Sequence, residues 1–361
     1  MRSSPRAVPA GAAAADTSVN QTLPFSSAQP RQSAHPAAVS AIDKVARPPA
    51  LATGAVQAPL SAAEAQRFRD EGYLVVPELC DRAELQEIRS ILLGLFEQRA
   101  GHAEGNQFDM LSLDRKGTEA IQPQIVKPSL YAPALLRTPH FRRVQAMARQ
   151  LLGADAEFSF DHSILKPAGK AASTPWHQDE AHSPDRNFRH DQISFWMPLQ
   201  DVSEENGCMR YVPGSNHGPV LPHRSLNDDP RIHALECPTR YFDESAALAQ
   251  PVPAGWCILH GGRTLHSALP NRSAADRLVY VLAFRGPPIP RGEPGNFTWL
   301  ETKRTAGIER NLHWRLHGGF LVLVLRWLRR VFRSDFRALQ FKLQRLAHLR
   351  RARLQKWWRG P

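Results

Sequence analysis

Residues 176–179 read Trp-His-Gln-Asp, and eighty-seven positions after Asp179 stands His266 in a Leu-His-Ser run. Two imidazoles and one carboxylate form a ligand set for mononuclear iron(II). Three protein ligands on one face leave three positions open for substrate chemistry and dioxygen. His177 and Asp179 are two apart, so on a β-strand both would face the same side. Eleven residues past His266 comes Arg277, at the head of an apolar run. A buried charge there needs a partner, and a planar guanidinium suits a bidentate clamp on a carboxylate, as a dicarboxylate cosubstrate would require. Asp276 or a neighbouring acid is the alternative partner. His260 also ends an apolar strand and is a rival ligand. A lone His-x-Asp is weak in a chain with fifteen histidines, where His190-Asp191 shows how near a decoy can lie. The spacing to a second His and then an Arg is what makes the set specific.

The elements that must position these residues fall in two groups. Ser61-Ala-Ala-Glu64 is a capping box that opens a helix through about Glu71, stopped by Gly72. Tyr73 to Pro77 reads as a strand. Asp81 starts a longer helix to about Ala100 with apolar positions at helical spacing, and Thr138-Pro139 caps another over about 140–152. After Gly153 the pattern changes to short β-rich runs at 157–166, 192–202, 208–213, 255–260 and 277–285, with turn signals between them. The fold class is therefore mainly β, a sandwich or barrel with flanking helices outside it. A Gly261-Gly262 turn between two short strands would bring His266 back to the mouth of the barrel.

The 361 residues carry a net charge of +12, unevenly spread. Residues 310–361 hold fourteen Lys and Arg against one acid, Asp335, so the rest of the chain sums to −1. Three segments follow: an Ala/Pro/Ser/Gln-rich leader over 1–58, too poor in apolar residues to order itself; a catalytic body over 59–300; and a basic tail over 310–361, helical by composition. In that tail Phe332, Phe336, Leu339, Leu343 and Leu346 make one apolar stripe among arginines. Such a segment suits an anionic membrane surface or self-association; nucleic acid is disfavoured because aromatics are not interleaved for base stacking. The longest apolar stretch, Gly318 to Leu325, is eight residues, short of the roughly 20 a transmembrane helix needs. Cys80, Cys208, Cys237 and Cys257 show no metal spacing and read as reduced thiols of a cytoplasmic protein, peripheral at a membrane if the tail binds one.

Taken together, Thr174-Pro-Trp-His177-Gln-Asp179, Ser194-Phe-Trp196-Met-Pro-Leu-Gln-Asp201, Glu205-Asn-Gly-Cys-Met-Arg-Tyr-Val-Pro-Gly-Ser215, and Leu265-His266-Ser followed by Asn271-Arg-Ser and Arg277 resemble the phytanoyl-CoA dioxygenase family of iron(II)/2-oxoglutarate oxygenases. The likeness spans about 60–290. It implies a double-stranded β-helix with the metal at one mouth, iron on His177, Asp179 and His266, and the distal carboxylate of 2-oxoglutarate on Arg277. It also implies O2 as second cosubstrate, with succinate and CO2 as products and a small organic molecule hydroxylated at an unactivated C–H. Lys166 and Trp196 are further candidates for cosubstrate contact, Trp196 as a barrel-lining aromatic. The family commonly carries a hydroxyl residue two places after the distal His; here that place is Ala268, and Ser267 or Thr264 would substitute. Iron halogenases replace the triad carboxylate by a small residue, so Asp179 favours hydroxylation; desaturation, ring closure or epimerisation use the same oxidant. Gln178, His182 and the loop 180–190 are placed to grip substrate. The competing reading is a non-catalytic β-helix binding protein tethered by its tail, which four intact site residues disfavour.

Overall fold

The structure, a computed structural model, describes residues 60–115, 117–183 and 185–333. The leader expected over 1–58 and the tail beyond 333 lie outside the described residues. In chain order the elements are α1 (Ala62–Glu71), β1 (Tyr73–Val76), α2 (Arg82–Glu97), β2 (Gln107–Asp109), β3 (Pro123–Val126), α3 (Pro139–Leu152), β4 (Glu157–Lys166), β5 (Thr174–His177), β6 (Phe188–Pro198), β7 (Met209–Tyr211), β8 (Arg224–Ser225), β9 (Leu235–Glu236), β10 (Leu248–Gln250), β11 (Cys257–Gly261), β12 (His266–Ala268), β13 (Arg277–Pro290), α4 (Thr298–Glu301), α5 (Ala306–Trp314) and α6 (Phe320–Arg333).

Two antiparallel sheets face each other, one ordered β1-β11-β6-β13-β4-β3-β2 and the other β10-β7-β12-β5. This is a double-stranded β-helix. The small sheet is built from three- and four-residue strands, too short to define a face alone, so the large sheet behind it supplies the rigid wall. Strand β13 explains why its sequence alternates poorly. Leu278, Tyr280, Leu282 and Phe284 turn outward into a core shared with helices α2 and α3, through Leu85, Ile88, Leu92, Val144 and Met147. Val279 and Val281 turn inward to meet Met209, Tyr211 and Ala268 of the small sheet. Both faces are buried, so both are apolar.

Helix ends are closed as their sequences dictate. The Ser61–Glu64 capping box is present and Gly72 ends α1 in the left-handed region at φ 82°. Thr138 caps α3 by accepting from the Phe141 N–H. Buried Glu84 accepts from both the His140 backbone N–H and the Arg143 guanidinium, locking α2 to α3.

Past residue 300 the chain stays in contact with the body, through the start of the segment read as a tail over 310–361. Helix α5 is anchored by Arg310, which pairs with Asp114 at 2.6 Å and donates to the carbonyls of His102 and Gln107. Just upstream, the Lys303 ammonium donates to the carbonyls of Ile232, His233 and Ala234. Charged side chains hidden from a periodicity search make these contacts.

Candidate iron and 2-oxoglutarate site

The small sheet brings two histidines together by register. His266 of β12 lies opposite His177 of β5 on one side and Tyr211 of β7 on the other. The ring centroids of His177 and His266 are 4.2 Å apart. Each ring is fixed the same way. Nδ1 of His177 donates to the Pro175 carbonyl at 2.8 Å, and Nδ1 of His266 donates to the Thr264 carbonyl at 2.9 Å. A carbonyl can only accept, so the proton sits on Nδ1 and each Nε2 keeps a lone pair for a metal.

Asp179 completes the set, though not as expected from strand alternation. His177 is the last residue of β5, and Asp179 opens a short 3-10 turn, Asp179–His182. Its Oδ1 lies 3.9 Å from His177 Nε2 and 3.8 Å from His266 Nε2. The three ligand atoms all fall within 4.8 Å of one another, which fits one ion at their centre. Burial alone would raise the Asp179 carboxyl, but the neighbouring His260, His266 and His177 rings hold it well below the usual carboxylate range. Burial pushes His266 well below, and His177 below, the ordinary imidazole value. A carboxylate beside neutral imidazoles is the protonation state metal binding demands.

These groups open onto a cavity of ≈ 450 Å³ between the sheets. Arg277 lines it, 1% exposed, with no hydrogen-bond partner for Nε or Nη1 among the described residues. Burial pushes its pKa down to about 9. A buried guanidinium with unpartnered nitrogens calls for an anion. Asp276 makes no ion pair with Arg277 among the described residues, and its carboxylate accepts from the Ala168 N–H. Along the small sheet the His177–His266–Tyr211 row is followed, two residues on, by a Thr174–Ala268–Met209 row. That step is about 7 Å, the scale of a five-carbon dicarboxylate, and Ala268, Met209 and Arg277 line the same cavity. Trp196 lines it too, with the Arg277 guanidinium carbon 5.7 Å from its ring centroid.

The remaining candidates separate. Lys166 is 2% exposed, and its ammonium donates to the carbonyls of Leu269, Ala268 and Ala172 at 2.7, 3.3 and 3.4 Å. Three donors meet three acceptors, so Lys166 ties β4 to the chain after β12 and does not line the cavity. Ser267 alternates away from His266 and Ala268 and lies opposite Arg210. Thr264 donates its hydroxyl to the Gly72 carbonyl at 2.6 Å. Neither supplies the hydroxyl missing at Ala268. Gln178 is 1% exposed and spends its amide on Arg263, Pro219 and Leu221 backbone atoms, so it holds loops and not substrate. His182 does line the cavity, its pKa pushed down to about 3 by burial and the neighbouring His177.

Several lining residues went unnoticed in the sequence: His162, Gln122, Gln124, Gln192 and His233. For His162 a signal existed, since counting back by twos from Ile164 along β4 gives 162 and 160, and all three line the cavity. His233 gave none, because a loop fixed by Lys303 carries it.

A family model for phytanoyl-CoA dioxygenase (PhyH) matches residues 68–279, more than half of the chain. The chain belongs to that family. EvdO2 from Micromonospora carbonacea var. aurantiaca, solved in complex with 2-oxoglutarate, superposes with a TM-score of 0.58 at 32% identity, covering 67% of this chain and 98% of that one. A probable alpha-ketoglutarate-dependent hypophosphite dioxygenase of Stutzerimonas stutzeri is 27% identical over 62% of this chain and 78% of its own length. The L-proline trans-4-hydroxylase of Streptomyces griseoviridis is 26% identical over 63% and 87%. This PhyH-family protein is an iron(II)- and 2-oxoglutarate-dependent dioxygenase, with O2 as second cosubstrate.

Proposed function

We propose that His177 Nε2, Asp179 Oδ1 and His266 Nε2 hold iron(II), and that Arg277 grips the distal carboxylate of 2-oxoglutarate. The observation that carries this is the guanidinium, unpartnered among the described residues, sharing one cavity with the triad. Bound iron and cosubstrate supply the oxidising power, with 2-oxoglutarate leaving as succinate and CO2. The chain positions and shields. Two Nδ1–H···carbonyl bonds aim the imidazoles, Trp196 covers one side of Arg277, and the sheets keep bulk water from the reacting carbon. The reaction is hydroxylation of an unactivated C–H on a small organic substrate, the outcome the proline hydroxylase's name describes for that relative. His182 reaches the substrate from the cavity wall. Anaerobic addition of iron(II) and 2-oxoglutarate is expected to give the weak visible charge-transfer band of a chelated complex. Asp179→Ala and Arg277→Ala should weaken it; an unchanged band in either variant would sink the assignment.

We further propose that the protein is cytoplasmic and rests peripherally on an anionic lipid surface. Of the large hydrophobic side chains exposed among the described residues, seven fall in one segment: Ile308, Leu312, Leu316, Phe320, Leu321, Val322 and Leu325. The first four follow a four-residue spacing, and the same segment begins the stretch with fourteen basic residues against one acid. Apolar contact plus cationic charge is what an anionic interface selects. Among the described residues no helix is long and apolar enough to cross a membrane. Co-sedimentation with phosphatidylserine vesicles should fall with added salt and in Leu316→Asp/Phe320→Asp. Equal partitioning of variant and parent, or concentration-dependent dimers without lipid, would count against the lipid reading.

A further inference from the structure

Asp179 lies beyond the end of β5, on a 3-10 turn, so no strand pairing fixes its carboxylate. Two side chains of the large sheet stand in for that pairing. Ser194 Oγ of β6 donates to Asp179 Oδ2 at 2.7 Å. His260 Nε2 of β11 lies 3.4 Å from the same oxygen. Ser194 and His260 are register partners across β6 and β11, both facing inward, 2% and 3% exposed.

The two neighbours of His260 set its tautomer. Tyr211 places its hydroxyl 3.1 Å from His260 Nδ1. Nε2 faces an Asp179 carboxylate oxygen, which can only accept, so the proton sits on Nε2 and Nδ1 accepts from the phenol. Tyr211 is itself held by Tyr73, stacked at 4.6 Å between ring centroids and 8° between planes. The chain Tyr211–His260–Asp179 therefore runs one way, each group donating to the next. Oδ2 faces both donors, and Oδ1 alone turns to His177 and His266.

We propose that Ser194 and His260 form a clamp that makes Asp179 a one-oxygen ligand, and that His260 is a positioning residue and not a fourth ligand. The proposal rests on the iron assignment to the triad. Its consequence is stoichiometric. A carboxylate free to rotate offers both oxygens to the metal, and the second would occupy one of three positions that cosubstrate and dioxygen need. The clamp keeps that position open. The same geometry settles the rivalry between His260 and His266: the imidazole with its Nδ1 bonded to a carbonyl presents a lone pair, whereas His260 presents a proton.

The test uses the full chain, without oxygen, with iron(II) or cobalt(II) as the probe and 2-oxoglutarate added to the metal-saturated protein. Ser194→Ala and His260→Leu should each weaken metal binding about 10- to 100-fold, the usual effect of losing a partner behind a ligand. His260→Gln, whose amide still donates, should recover most of the loss. The Ser194→Ala/His260→Leu pair should also bind 2-oxoglutarate more weakly at saturating metal and shift the cobalt d–d spectrum. Metal and cosubstrate binding at parental strength in Ser194→Ala and His260→Leu overturns the clamp. Loss of metal in His260→Leu as complete as in His177→Ala, with no rescue by Gln, overturns it in favour of His260 as a ligand. Metal binding that survives His177→Ala overturns instead the triad assignment beneath it.

Discussion

Two buried cations, Arg277 and Lys166, sit side by side as register partners of β13 and β4, and their partners assign them opposite work. Lys166 satisfies three backbone carbonyls and is spoken for. Arg277 leaves Nε and Nη1 without hydrogen-bond partners among the described residues and is pushed down to about 9 by burial, so it is costly until an anion arrives. Removing an uncompensated buried charge stabilises, whereas removing one partner of a satisfied set destabilises. Arg277→Met should therefore raise the stability of the metal-free protein by roughly 1–4 kcal/mol while cutting 2-oxoglutarate affinity about 30-fold or more. Lys166→Met should lower stability by about 1–3 kcal/mol and leave cosubstrate affinity of the folded fraction unchanged. Urea unfolding beside a 2-oxoglutarate titration separates the two signatures. A destabilised Arg277→Met with undiminished affinity would return Arg277 to a structural role.

At the scale of elements, the link between helix and site is a single glycine. Gly72 ends α1 at φ 82°, and its carbonyl accepts from the Thr264 hydroxyl and the Gly261 N–H. The turn it holds joins His260 of β11 to His266 of β12. A Cβ at 72 would stand 2.6 Å from Asn216 Oδ1 and 2.7 Å from Thr264 Oγ1. Gly72→Ala is expected to cost roughly 2–3 kcal/mol and to broaden metal binding, read by calorimetry and anaerobic titration; a cost near zero would mean the turn is held elsewhere. That Gly72 stops a helix was plain from the sequence. That its carbonyl reaches 192 residues onward to Thr264 was not, because long-range hydrogen bonds leave no local pattern. The same division runs through the fold. Helices α1–α3 and strands β4, β11 and β13 announce themselves by caps and apolar runs. Strands β2, β3, β8 and β9 are two to four residues long, too brief for periodicity to register. That His177, Asp179 and His266 come together, with Arg277 in the same cavity, was foreseeable from residue type and spacing. The fate of Lys166, Ser267 and Gln178 depended on partners that only the packed sheets bring near.

At the scale of the whole molecule, burial in the helical core and around the cavity leaves several imidazoles in the neutral form. His140 on α3 is 0% exposed, neither ring nitrogen has a hydrogen-bond partner among the described residues, and burial, with Arg143 adding, pushes it down to about 3. Burial likewise pushes His162 to about 4, and His182 and His233 to about 3. In the unfolded chain each titrates near 6.5. Their contribution to stability is complete above that value. Below it the unfolded chain takes up protons the folded one refuses, so the contribution is lost as pH falls from about 6.5 toward the folded values. Each such group costs about 1.4 kcal/mol per pH unit within that window. His140 is the cleanest probe, being remote from the triad on the helical face. Between pH 7.5 and 5.0, His140→Leu should lose less stability than the parent by about 2 kcal/mol, measured by urea unfolding of the metal-free protein. The other three keep the variant acid-sensitive, so its slope should shrink without vanishing. Equal acid slopes in parent and variant would show that His140 is already charged, or hydrated, in the folded state.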